Sequence, residues 1–231
     1  LQEISEFVRD NHFDLGIVVD PDVDRLALVC EDGSFFGEEY TLVAVADHVL
    51  SYTKGNTVSN LSSSRALRDV TEQAGGSYMP AAVGEVNVVQ KMKATNAVIG
   101  GEGNGGVIYP KSHYGRDALV GIGFFLTLLA NKGVKMTELR KSYPSYFITK
   151  TKISLEESLD LSAILESIAA DYSNELINRE DGIRIDFEDS WVHLRKSNTE
   201  PIIRVIGEAG TKEASEKLTH RFLDELKGKA S

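Results

Sequence analysis

Apolar positions along the chain change spacing several times, and each change marks an element. Ile4, Phe7 and Val8 sit at helical spacing, which predicts a helix over 2–12. DLGIVVD is a short, β-branched apolar run, a buried strand that ends at Asp20. RLALVCEDGSFF reads as a hairpin, two apolar runs separated by Glu31-Asp32-Gly33. From Glu38 to Tyr146 helical and strand periods alternate. Helices are expected over 39–53, 64–74, 86–95 and 117–130. Strands are expected at Thr57–Leu61, SYMPAAV, AVIGGEG and GVIYP. Strands alternating with helices of this length predict a layered α/β domain with a mainly parallel sheet.

After Pro144 the texture changes. YPSYFITKTKISL is strand-like, and a helix follows around Leu161, Ile164, Leu165 and Ile168. Strands at 183–187, 191–194 and 202–208 precede a final helix over 212–227, with Ala214, Leu218, Phe222 and Leu226 along one face. This order predicts a small α+β domain with its boundary near Phe147.

Charge narrows the function classes. Acidic residues number 35 against 25 Lys and Arg, a net charge of −10. That balance argues against general affinity for nucleic acid or anionic membranes, and leaves room for a local basic pocket. The apolar run from Ala118 to Ala130 is too short to span a bilayer. A single cysteine, Cys30, excludes an internal disulfide and suits the reducing cytoplasm. The chain opens on LQEISEFVRD, a helix already under way, so a piece of something longer is expected.

Three loops carry candidate chemistry. Asp20, Asp22 and Asp24 fall within five residues and repel one another unless a cation sits among them. Mg²⁺ takes oxygen ligands and often a substrate phosphate, and Arg25 beside it can clamp a second phosphate oxygen or handle a proton. A solvated acidic turn is the alternative. An EF-hand fails, because Arg25 replaces the required glycine and the flanks are strands. The second loop, GGEGNGGVIYPKSHYGRD, surrounds Glu102 and Asn104 with glycines that let backbone approach a ligand. His113, Arg116 and Asp117 follow. Glu102, Asn104 and His113 suit sugar hydroxyls; a solvated hairpin is the alternative. The third, RKSNTEPIIR, gathers Arg195, Ser197, Asn198 and Thr199, with Arg204 returning toward them. It can grip a phosphate, or be a polar β-turn.

Taken in order, the three loops resemble the α-D-phosphohexomutase superfamily of phosphoglucomutases, phosphomannomutases and phosphoglucosamine mutases. Asp20 to Arg25 match its metal loop D-x-D-x-D-R. Gly101 to Gly106 correspond to its sugar loop G-E-x-S-G-H, and Arg195 to Pro201 to its phosphate loop R-x-S-G-T-E-P. The resemblance implies four domains, of which 1–40 would end the second and 41–147 form the third. Residues 148–231 would form a fourth with a TATA-binding-protein-like fold. It implies phosphoryl transfer between the C1 and C6 oxygens of a hexose or hexosamine phosphate, with a hexose 1,6-bisphosphate intermediate. Asp20, Asp22 and Asp24 would hold Mg²⁺, and Arg25 would face the reacting oxygen. The family's phosphoserine segment, T-A-S-H-N-P, has no counterpart, since Ser62-Ser63-Ser64 is not followed by His-Asn. The fragment is therefore expected to be inactive alone.

Departures are specific. Asn104 stands for the family's loop serine and Gly106 for its histidine. A family lysine aligns near Ala82, a role that Lys111 or His113 could take. Two other classes stay open: a non-catalytic phosphosugar-binding or interaction module, and a Ca²⁺-regulated binding protein.

Overall fold

The computed structural model describes residues 1–154, 160–197 and 202–230. Contacts divide the chain into two compact units, Leu1–Pro144 and Ser145–Ser231.

The first unit opens with helix α1 (Gln2–Asp10) and an antiparallel pair, β1 (Leu15–Val19) and β2 (Leu26–Cys30). Beyond Asp32-Gly33 the expected hairpin shrinks to a single bridge between Val29 and Phe35. The turn closes early because the Asp32 carboxylate accepts both N–H and O–H of Ser34. Next come α2 (Glu38–Tyr52), β3 (Thr57–Asn60), α3 (Ala66–Gln73), β4 (Tyr78–Ala81), α4 (Glu85–Thr95), β5 (Ile99–Glu102) and β6 (Gly106–Ile108). The sheet order is β4-β3-β5-β6, parallel except for the β5–β6 pair. Alternation along β3 assigns the two faces. Val58 joins Val88 and Met92 of α4 in one core, while Thr57 Oγ1 lies 2.7 Å from Thr71 Oγ1 of α3. Helix α2 is buried along most of its length, packed against α3, β5 and β6. Helix α5 (Ala118–Lys132) begins where the Asp117 carboxylate caps Val120 N at 3.0 Å and ends at Gly133 with φ +63°. A short helix ending just before Pro144, α6 (Met136–Ser142), completes the unit.

The second unit is a five-stranded antiparallel sheet in the order β7-β11-β10-β9-β8. Its strands are β7 (Phe147–Ser154), β8 (Leu176–Asn178), β9 (Ile183–Asp186), β10 (Trp191–Lys196) and β11 (Ile202–Ala209). Helices α7 (Leu161–Asp171) and α8 (Lys212–Ala230) share a core with Ile183, Ile185, Val192, Leu194, Ile203 and Val205. Ala214 is exposed. The α8 face turns inward instead at Ser215 and Thr219, whose hydroxyls are satisfied by Lys212 O and Ser215 O, before reaching Phe222 and Leu226. By alternation, the other sheet face carries Arg184, Trp191, His193, Arg195, Arg204 and Glu208.

Candidate functional site

In the first unit the loop ends meet at the carboxyl ends of β3 and β5, the edge where open α/β sheets bind ligands. The Asp20–Arg25 loop joins β1 to β2. Asp20 Oδ1 accepts the N–H groups of Asp24 and Arg25 at 3.1 Å each, and Oδ2 takes Arg25 Nε at 2.7 Å. Val23, β-branched, is held at φ +56°, a costly conformation found where surrounding structure overrides local preference. It is tied down by its own carbonyl, which accepts Ala118 N at 3.1 Å.

Asp20 and Asp24 lie side by side. Partial burial works against ionisation of Asp20, yet its bonds from Arg25 keep its pKa well below the usual carboxylate range. Asp24 moves up, through burial and through the neighbouring Asp20. Asp22 stands exposed at the loop tip. Among the described residues no group of three or more acidic, His or Cys side chains is arranged to hold a metal ion. Two adjacent carboxylates with oxygen donors alone do fit Mg²⁺, which commonly takes one or two carboxylates and completes its shell with water and phosphate.

The glycine-rich loop runs between β5 and β6. Gly105 sits at φ +85° with its carbonyl accepting Leu26 N at 3.0 Å; a Cβ there would overlap the Leu26 carbonyl. The strand leaving the Asp20–Arg25 loop and the glycine-rich loop are thus hydrogen-bonded neighbours. Glu102, 5% exposed, accepts Asn60 Nδ2 at 2.9 Å. Ser63 Oγ accepts Gly103 N at 3.0 Å and itself donates to Asn60 Oδ1 at 3.1 Å. Asn104 turns its Oδ1 onto Gly106 N at 3.1 Å. His113 is exposed, its Nε2 2.9 Å from Asp117 Oδ2. Burial raises the Asp117 pKa, but the Val120 N–H and His113 outweigh it and the net shift is downward.

Arg116 links these parts. Its Nη2 lies 2.5 Å from Asp24 Oδ2 and its Nη1 2.8 Å from Glu102 Oε2. Glu85, at the first position of α4, takes Arg116 N at 2.9 Å, with Arg116 Nε 3.5 Å from its other oxygen. Sequence reasoning placed Arg116 on the second loop without a role, and left Glu85, Asn60 and Ser63 out of the site. The signal for Arg116 was its place one residue before the helix-capping Asp117, at the end of the glycine-rich loop.

In the second unit Arg195 stands directly opposite Arg204 on paired strands, two like charges in a position that costs stability without an anion nearby. Arg195 is 9% exposed. Its Nη1 lies 3.6 Å from Asp181 Oδ2, and its Nε has no hydrogen-bond partner among the described residues. His193 donates from Nε2 to Asp181 O at 2.6 Å. Burial pushes its pKa down to about 4. Ser197 is buried, its N–H bonded to Ile202 O at 2.9 Å. Asn198 and Thr199 lie outside the described residues.

This pairing of an α/β/α layer with an antiparallel unit has known counterparts. Residues 37–146 match the phosphoglucomutase/phosphomannomutase α/β/α domain III, and residues 151–225 match the C-terminal domain of the same enzymes. The chain belongs to the phosphohexomutase superfamily, within the phosphoglucomutase/phosphomannomutase family. Among its relatives, the phosphoglucomutase/phosphomannomutase of Thermococcus kodakarensis is 35% identical over 99% of this chain and 51% of its own length. The phosphoglucosamine/phosphogalactosamine mutase of Sulfurisphaera tokodaii is 31% identical over 99% and 51%. The crystal structure of a phosphoglucomutase/phosphomannomutase family protein from Burkholderia thailandensis superposes with TM-score 0.85 at 25% identity, covering 99% of this chain and 50% of that one. The chain spans about half the length of the curated relatives it matches.

Proposed function

We propose that this chain supplies the cation-binding, sugar-reading and phosphate-gripping parts of a phosphohexomutase, which moves a phosphoryl group between the C1 and C6 oxygens of a hexose or hexosamine phosphate by way of a bisphosphate. The observation that carries the reading is the Asp24–Arg116–Glu102 bridge, which places the acidic loop and the glycine-rich loop in one polar cluster. Residues 1–40, 41–147 and 148–231 are read as the end of a second domain, a third domain and a TATA-binding-protein-like fourth.

Asp20, Asp22 and Asp24 would hold Mg²⁺, which neutralises phosphoryl oxygens during transfer. Arg25 is half exposed beside Asp20, within reach of a phosphoryl oxygen brought to that loop. Glu102, fixed by Asn60, accepts from sugar hydroxyls, while the Asn104 amide donates to them and His113 lies further along the same loop. In the second unit Arg195 and Arg204, with Ser197, Asn198 and Thr199, would hold the non-reacting phosphate. Binding energy from that remote end orients the reacting one. The phosphoserine segment of the family has no counterpart in residues 1–231, so these residues by themselves are expected to give no turnover.

The test combines calorimetry with an assay. Glucose 1,6-bisphosphate should bind the chain in the presence of Mg²⁺, while glucose 1-phosphate alone gives no turnover above a blank. Turnover by the purified chain, or no heat of bisphosphate binding at millimolar ligand, would count against the reading.

A further inference from the structure

Arg116 has an environment that the three sequence motifs do not account for. One guanidinium faces Asp24, Glu85 and Glu102, three carboxylates carried by three different elements. The space it fills is equally telling. A Cβ built on Gly106 would overlap Arg116 Cδ, so the side chain runs through the volume that any larger residue at 106 would occupy. Position 106 is where the resembling loop pattern has histidine and this chain has glycine. The small residue at 106 and the arginine at 116 are therefore two halves of one packing arrangement.

The geometry also sets up a competition. Arg116 Nη2 sits 2.5 Å from Asp24 Oδ2, on an oxygen that a divalent cation would need. A guanidinium and a metal ion at that distance from one carboxylate repel each other. Glu102 is held from two sides, by Arg116 Nη1 and by Asn60 Nδ2. A cation that takes Asp24 releases one arm of the guanidinium while the others keep Glu85 and Glu102. Cation loading and the setting of the sugar loop then become linked, and linkage is reciprocal.

We propose that Arg116 is a positioning residue that clamps the Asp20–Arg25 loop to Glu102, competes with the divalent cation for Asp24, and depends on glycine at 106 for its place. The proposal rests on the reading of Asp24 as a cation ligand, and the test separates the two.

Free Mn²⁺ is followed by electron paramagnetic resonance as it is titrated with the full chain, wild type and Arg116→Gln, Arg116→Lys and Asp24→Asn, each checked for folding by circular dichroism. Asp24→Asn should weaken Mn²⁺ binding about tenfold, the loss of one charged ligand. Arg116→Gln should tighten it about threefold or more, as a like charge leaves the site. Arg116→Lys should stay close to wild type, and carries the test if the Gln variant does not fold: tighter binding than wild type by the Lys variant would then contradict the competition. If Asp24→Asn weakens binding and Arg116→Gln does not tighten it, the clamp is overturned and the cation reading stands. If Asp24→Asn binds Mn²⁺ as wild type does, or no variant binds it, both fall. The packing half is read from melting temperatures. Gly106→His should lower Tm, and Gly106→His with Arg116→Ala should melt above Gly106→His alone. Additive losses would refute the shared volume.

Discussion

The two units build their polar sites with opposite signs. In the first, three carboxylates surround one guanidinium, Arg116. In the second, two guanidiniums stand opposite each other on β10 and β11, with the Asp181 carboxylate 3.6 Å from one of them. An excess of fixed negative charge suits a metal ion and hydroxyl donors, and an excess of positive charge suits phosphate. A net charge of −10 describes the whole chain and hides this difference between the two clusters.

The most damaging way to break the contrast is at the joint that assembles the acidic site. Gly105→Ala adds a Cβ against the Leu26 carbonyl at a backbone with φ +85°. It should destabilise the chain by about 2–4 kcal/mol, read by urea unfolding, as the Asp20–Arg25 loop loosens from the glycine-rich loop. A stability loss under about 0.5 kcal/mol would mean the joint is slack.

Next in size is the basic site. Arg195→Ala should weaken glucose 6-phosphate binding about tenfold or more, the value of a charge-assisted contact, while leaving Mn²⁺ binding unchanged. Equal loss of both ligands would erase the distinction between the units.

A smaller, graded effect comes from pH. Burial, joined by the charges of Arg184 and Arg195 and opposed by the bond to Asp181 O and the Asp181 charge, lowers His193 from 6.5 to about 4. The unfolded chain then binds a proton near pH 6.5 that the folded chain refuses until about pH 4. The stability this group contributes is complete above pH 6.5 and declines steadily as pH falls through 4. Asp20, whose pKa is also depressed, adds its loss in the same direction at still lower pH. Urea midpoints at pH 7 and pH 5 should differ less in His193→Gln than in wild type; an unchanged difference would rule out His193 as the source.

The smallest effect is expected at the loop tip. Asp22 is exposed, so Asp22→Asn should change stability by less than about 0.5 kcal/mol and weaken Mn²⁺ binding less than Asp24→Asn does. A loss as large as that of Asp24→Asn would show that the tip closes over the ion.

Much of the architecture could be read from spacing. Helix α5 carried an aspartate cap and a following glycine, and the strands of the first sheet were bounded by glycines and turns. Strand β8 could not be read, because three residues are too few to display a period. The early turn of α8 was hidden because its inner face begins with Ser215 and Thr219, polar residues whose hydroxyls are satisfied locally. For the site, Asp20, Asp24 and Glu102 announced themselves through local pattern. Arg116 did not, since its partners come from three elements and only folding brings them to it. Glu85 resembled an ordinary first-turn acid of a helix, and Asn60 the polar end of a strand.

Trp191 has a use apart from any ligand. It is the sole tryptophan in the sequence, fully buried in the second unit, its ring under the Arg184 guanidinium at 4.2 Å and its Nε1 bonded to Glu208 Oε1 at 2.7 Å. Its fluorescence therefore reports on that half alone, while the tyrosines of both halves report on the whole. Following red-edge tryptophan fluorescence and tyrosine ultraviolet absorbance during one melt gives an internal clock for whether the two units unfold together or in turn, with no label attached.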